Sequence, residues 1–418
     1  MGKQKRKQSN VVFDELREQP LPHRVWGASF IDDEARKQMD NAVRLPISVM
    51  GALMPDAHVG YGLPIGGVLA TDNAVIPYAV GVDIACRMRM SIFPLSPIVV
   101  GQKSAQFKKA LMEETRFGAG VIWRSNEQVE HPVLDDPDWQ ATDLLRSLKN
   151  TAYNQLGTSG TGNHFVEWGS FKLDDDDHVL GLEKGSYLAL LSHSGSRGVG
   201  FKIANHYSKL AQDMMPTLDP AVRVLAWFDL DSHYGQEYWR SMELAGRFAS
   251  ANHEVIHRRV AKAMGYKPIA SIENHHNFAW KETIPAPAGS NSGEREVIVH
   301  RKGATPAATG VYGIIPGSMG DAGYVVRGRG EVSSINSASH GAGRAMSRRK
   351  AVESITKTER DKYLRSRNIT LLGGGMDEAP QAYKRIDEVI DAQRDLVDIV
   401  GSFTPQMVRM ADDGKDEG

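Results

Sequence analysis

The sequence predicts an α+β protein: one large domain of layered β-sheets with peripheral helices and a site built from glycine-rich loops. Three observations lead there. Strand-like runs alternate with helical periodicities along all 418 residues, with no internal repeat and no long Pro/Ser linker. Hydrophobic residues make up 41% and charged residues 24%, the balance of a globular chain with a sizeable core. The 41 glycines gather at the ends of the strand-like runs, in "GYGLPIGG", "GTSGTGNH", "SHSGSRGVG", "RKGA", "PGSMG" and "SHGAGR". Glycine there lets the backbone approach a ligand closely, and the polar neighbours are His, Asn, Ser, Arg and Lys.

In chain order, the strand-like runs are "GVLAT" (67–71), "RMRMSIF" (87–93), "YLALLSH" (187–193), "VRVLAWFDL" (222–230), "EVIVHRK" (296–302) and "GYVVRG" (323–328). Helical periodicity covers 104–116, 143–156 ended by Gly157, 200–214, 237–264 stopped by Gly265, and 383–400. A basic segment (1–20) precedes the predicted domain (21–410), and an acidic tail (411–418) follows it.

Net charge is −1, so the whole molecule is not a cationic nucleic-acid binder. Its basic residues nevertheless crowd between Arg295 and Lys350, which suits a phosphate ligand as well as a solvated face. The basic opening "MGKQKRKQSN" is followed by no apolar segment, and no run is long enough to span a bilayer. With a single cysteine, these features predict a cytoplasmic protein without a membrane partner.

That cysteine, Cys86, sits three residues after Asp83 in "GVDIACRM". An isolated cysteine is commonly a small buried hydrophobe; a metal-binding thiolate would need histidines elsewhere. Two sets compete. "HEVIH" (His253–His257) in the long helical stretch has zinc-protease spacing, with Glu273 as a third ligand. However, its histidines fall at the edge of an apolar stripe through Trp239, Met242, Ala249, Ile256 and Val260, where half-buried structural histidines are common. The rival set is Asp83, Cys86, His164, His193 and His276, each histidine beside glycine or asparagine near a strand-like run. Five ligands exceed one closed tetrahedral zinc, whereas a two-metal site bridged by Cys86 accommodates them. Ligand softness alone leaves zinc and manganese level.

Together "PDAHVG", "GVDIAC", "GTGNHFVE", "HSGSRGVG", "HHNF", "HRKGAT", "GIIPGSMG", "SHGAGRAMSR" and "DEAPQAYK" resemble the RtcB family of RNA-splicing ligases, from about Pro55 to near residue 400. The resemblance implies a ligase dependent on GTP and on two Mn2+ ions. It would join RNA ends bearing a 2′,3′-cyclic phosphate or 3′-phosphate to 5′-hydroxyl ends, in RNA repair or tRNA splicing. It implies Asp83, Cys86, His164, His193 and His276 as metal ligands and His340 as the residue that becomes guanylylated. Arg197, Lys302, Arg344 and Arg348 would surround the phosphates. Around the nucleotide it places Asn163, Glu167, Asn277, Pro316, Gly317, Ser318, Met319, Gly341 and Gly343, together with His340. It admits a small activator protein; the sequence does not set the oligomeric state.

Elementary chemistry agrees with these roles. A neutral imidazole can attack phosphorus if cations offset the developing charge. Lysine, with an ordinary pKa near 10.4, would carry charge instead. Arg344 and Arg348 would share one face if "GRAMSRRK" begins a helix. Several positions depart from the family pattern: Ala85, Arg87 and Thr161 replace glycines, and Gly323 stands where serine is usual. The tail offers Arg409 or Lys415 where the family has a guanine-reading lysine, so a weakened preference for guanine is expected. A non-catalytic RNA- or nucleotide-binding relative is the remaining alternative, and the intact ligand set with His340 argues against it.

Overall fold

The computed structural model describes residues 15–285 and 293–412. Residues 1–14 of the basic segment and 413–418 of the acidic tail, including Lys415, lie outside them. The architecture is α+β, as the sequence predicts. An eight-stranded sheet runs in the order Tyr312–Ile315, Gly323–Gly328, Val397–Met410, Phe165–Leu173, Gly185–Ser194, Arg87–Phe93 and Ala270–His275. Thr370–Leu372 pairs alongside the Val397–Met410 strand. At the two edges, the Ile314 N–H donates to Asn274 Oδ1 at 3.0 Å, so the sheet nearly closes into a barrel. A five-stranded sheet combines Arg24–Val25, Ser48–His58, Ile65–Thr71, Glu294–Lys302 and Asn277–Pro285.

The chain passes from one sheet to the other at a single residue. Ala270–His275 belongs to the larger sheet and Asn277–Pro285 to the smaller, so His276 is the switch point. Ligand sites favour such junctions because neighbouring strand ends diverge there. The largest apolar cluster draws on residues from Ile31 to Ile298, so N-terminal and central segments share one core.

Helices form where apolar spacing and caps coincide. Thr142 accepts the Leu145 N–H at 3.1 Å to start Asp143–Gln155. Ser232 accepts from Gly235 at 3.0 Å to start the long helix His233–Met264, and left-handed Gly265 ends it as expected. Two predicted elements differ. The helix expected over 383–400 is confined to Ile386–Asp391, and Val397 onward is strand. Ile386, Val389 and Ile390 are buried in a helical turn, but in the second apolar cluster "LVDIV" Val397 and Ile399 pair with Gly328 and Val326 of the strand Gly323–Gly328. Tertiary pairing outweighs local periodicity there. The run 222–230 is not one strand but a 3-10 turn, Arg223–Leu225, and a short strand, Phe228–Asp229, with its apolar side chains in the core. Among the described residues, no helix is long and apolar enough to cross a membrane.

Candidate active site

Asp83 and Cys86 occupy the tight turn between the helix Pro77–Val80 and the strand Arg87–Phe93. Ala85 takes a left-handed φ of 57°, its N–H donating to Asn277 O at 2.7 Å, and His276 N donates to Cys86 O at 3.0 Å. The turn is thereby tied to the sheet switch point. Strand register does the rest: Met88 pairs with His193, and His193 with Phe165, the residue after His164. Gly195 is required by close approach, since a Cβ there would lie 2.1 Å from Asp83 Oδ1.

The structure brings all five expected ligands together. Cys86 Sγ lies 3.4 Å from His164 Nε2 and 3.1 Å from His193 Nε2. His193 Nε2 is 3.2 Å from His276 Nε2, and Asp83 Oδ2 is 3.1 Å from His164 Nε2. The Nδ1 atoms of His164 and His193 face the carbonyls of Ser159 (2.9 Å) and Asn163 (3.1 Å), which take their hydrogens. Their Nε2 atoms are thereby turned towards a carboxylate, a sulfur and another imidazole. Backbone carbonyls commonly orient metal-binding imidazoles in this way. Burial, and then the Asp83 carboxylate, push the Cys86 thiol up. Burial alone would raise Asp83 too, but His164 holds it well below the usual carboxylate range. This mixed O, N and S donor set fits a divalent metal.

A cleft of about 910 Å³ opens over this cluster. Lining it are Asn163, Arg197, Asn277, Lys302, the loop Pro316, Gly317, Ser318 and Met319, and His340, Gly341, Gly343, Arg344 and Arg348. Asn277 accepts the Gly303 N–H at 2.8 Å and donates to Asp83 O at 3.2 Å, joining the metal turn to the "HRKGAT" loop. Arg197 opens the helix Arg197–Met214 and is buried. The rings of His340 and His276 are 4.8 Å apart, which sets His340 beside the donor cluster. Its Nδ1 is 2.6 Å from Oδ2 of Asp56, a residue the sequence analysis passed over although it lies in "PDAHVG". Lys384 clamps that segment, donating to Pro55 O (3.2 Å) and Ala57 O (2.6 Å) on either side of Asp56.

Several expectations are corrected. Arg344 and Arg348 do not share a helical face: the helix Arg348–Ser354 begins only at Arg348, capped by Ser347. They converge instead on buried Glu378, with Arg348 also on Asp377 and Arg344 also over the Tyr383 ring. Glu378 and Tyr383 lie in "DEAPQAYK". Burial brings Lys302 down to about 7, so its protonation no longer argues against it as a nucleophile; its Nζ is instead held by Tyr61 O at 2.5 Å. Glu167 does not line the main cleft. It is buried behind the Pro316–Met319 loop, in a small cavity shared with Gly323, and burial raises its carboxyl pKa. Arg409 donates to Leu372 O and Met410 O, and it is Met410 that reaches the cleft.

"HEVIH" is not a metal centre. His253 and His257 are fully buried rather than half-buried, and both rings meet the Ser192 hydroxyl, at 2.7 and 2.8 Å. His257 Nδ1 is satisfied by Ser91 at 2.8 Å. Glu254 points to solvent and pairs with Arg258 and His131, while Glu273 is held by Arg87 and Arg89. The zinc-protease arrangement therefore does not exist here.

The comparisons agree with this geometry. The family model described as tRNA-splicing ligase RtcB matches residues 38–411. The RNA-splicing ligase RtcB of Escherichia coli K12 is 34% identical over 415 residues, covering 93% of this chain and 97% of that protein. The tRNA-splicing ligase RtcB of Nanoarchaeum equitans is 32% identical over 460 residues, covering 93% and 95%. That of Mycobacterium tuberculosis, an RNA-splicing ligase RtcB, is 31% identical over 417 residues, covering 85% and 95%. The chain belongs to the RtcB family of RNA-splicing ligases.

Proposed function

We propose that the protein is a cytoplasmic RNA ligase that joins a 3′-phosphate end, or a 2′,3′-cyclic phosphate end once opened, to a 5′-hydroxyl end. It consumes GTP and uses two Mn2+ ions. The reading is carried by one observation above all: His340, beside the converging donors, has its Nδ1 committed to a buried carboxylate. That hydrogen bond leaves Nε2 as the lone-pair atom, the form a nucleophile needs.

Asp83, Cys86, His164, His193 and His276 would hold the metal ions, whose charge, when bound, offsets that on phosphate oxygens. His340 Nε2 attacks the α-phosphorus of GTP, forming a P–N bond as pyrophosphate leaves. The 3′-phosphate of RNA then takes GMP from His340, forming a pyrophosphate-linked end. Attack by the 5′-hydroxyl closes the phosphodiester and releases GMP. Arg197, Arg344 and Arg348 supply positive charge along this path, with Lys302 adding its own where it is protonated, and the arginine forks suit phosphate oxygens.

Incubation with α-labelled GTP and Mn2+ tests this. The protein should acquire an acid-labile, alkali-stable label at His340, absent in His340→Ala and retained in Lys302→Ala. Failure to label while RNA is still bound would favour a non-catalytic relative. A label mapped to Lys302 would overturn the assignment.

A further inference from the structure

The cleft is lined by aromatic residues that the reaction above does not use. Tyr61 is 74% exposed, yet it lines the cleft and stands on a firmly seated loop. Gln38 clamps the preceding residue twice, donating to Gly60 O at 2.6 Å and accepting from Gly60 N at 3.0 Å. Lys302 holds the Tyr61 carbonyl itself. The following residue, Gly62, has a φ of 75°, and a Cβ there would come within 2.8 Å of Leu225.

Leu225 belongs to the 3-10 turn Arg223–Leu225, which also packs against the helices Pro77–Val80 and Arg197–Met214. Those helices carry Tyr78 and Phe201, both half-buried and both lining the same cleft. The three rings thus rise from elements that share one support. A seated loop that keeps a phenol ring in solvent forgoes the stabilisation of burying it, and gains a preorganised flat surface.

We propose that Tyr61, with Tyr78 and Phe201 lining the same cleft, provides a stacking wall for the bases of the single-stranded RNA end presented to His340. The proposal rests on the RNA-ligase reading above. Every base has a π face, so stacking holds ends of differing sequence, while the phosphates are left to the cationic groups. It predicts a ligase that is tolerant of sequence at the break but intolerant of a missing base.

The test uses the full chain and a short single-stranded RNA that carries a 3′-phosphate and 2-aminopurine as its terminal base. Binding should quench the probe, because stacking on an aromatic ring quenches its fluorescence. Tyr61→Phe should keep the quench. Tyr61→Ala should lose most of it and weaken binding about five- to a hundredfold, and Phe201→Ala should show a smaller loss. An oligonucleotide with an abasic terminus should bind all variants alike. An unaltered quench and affinity in Tyr61→Ala, or equal losses in Tyr61→Phe and Tyr61→Ala, would overturn the wall. Should Tyr61→Ala melt at a lower temperature, Phe201→Ala and the abasic oligonucleotide decide the matter. Labelling and ligation by the unaltered protein report separately on the underlying reading: if both fail, that reading falls whatever the probe shows.

Discussion

His340 Nδ1 lies 2.6 Å from Oδ2 of Asp56, a carboxylate with no exposure to solvent. The same oxygen receives the backbone N–H of His340 at 3.1 Å and faces that of Gly341 at 3.4 Å. Burial by itself raises the Asp56 pKa, but the facing His340, together with Lys384 and His58, reverses this and leaves it lowered. The carboxylate therefore stays charged and sets both ring orientation and tautomer.

Asp56→Asn should keep the fold and metal content but slow labelling of His340 by at least about a hundredfold, because an amide can present a hydrogen to Nδ1 and favour the wrong tautomer. Single-turnover labelling checks this. A rate within a few-fold of normal would mean that Asp56 merely fills space.

Cys86→Ala should weaken divalent-metal binding, since one sulfur faces His164 and His193 together. Metal analysis after equilibrium dialysis against Mn2+ reads this directly. Ser192→Ala should do the opposite: metal content stays normal while stability falls by roughly 1–3 kcal/mol, as His253 and His257 lose a buried partner. Loss of metal in Ser192→Ala with retention in Cys86→Ala would reverse the assignment.

Arg344→Gln should cost ligation at least about tenfold through lost phosphate charge. The side chain is also mostly enclosed against Glu378, Asp377 O and the Tyr383 ring, so a loss of roughly 1–3 kcal/mol is expected as well. Chemical denaturation separates the two effects, and an unchanged midpoint with normal ligation would contradict both.

Lys302 gives a pH signature. Burial lowers it to about 7 from 10.5, so between those values the unfolded chain binds a proton that the folded chain does not. Stability should rise with pH across that window, and the penalty of charging the buried amine is fully present below it. Each unit is worth about 1.4 kcal/mol. Lys302→Met should therefore melt higher than the unaltered protein at pH 6, with the advantage shrinking towards pH 10. A pH-independent difference in melting temperature would refute the shift.

The sequence by itself determined most element types, the family and which residues come together beside His340. Those follow from local chemistry: the glycines of "SHSGSRGVG", the period-two runs "RMRMSIF" and "GYVVRG", and histidines beside strand ends are readable without a fold. Tertiary structure decided what long-range pairing controls. Val397–Val400 of "LVDIV" became strand because the distant strand Gly323–Gly328 pairs with it. His253 and His257 were turned inward onto Ser192, so a motif with the right spacing holds no metal. Asp56 reached His340 across 284 residues, and Glu378 settled between two arginines, because both carboxylates need partners once buried. Such partnerships depend on which side chains lose water together, and only the packed fold brings them within reach.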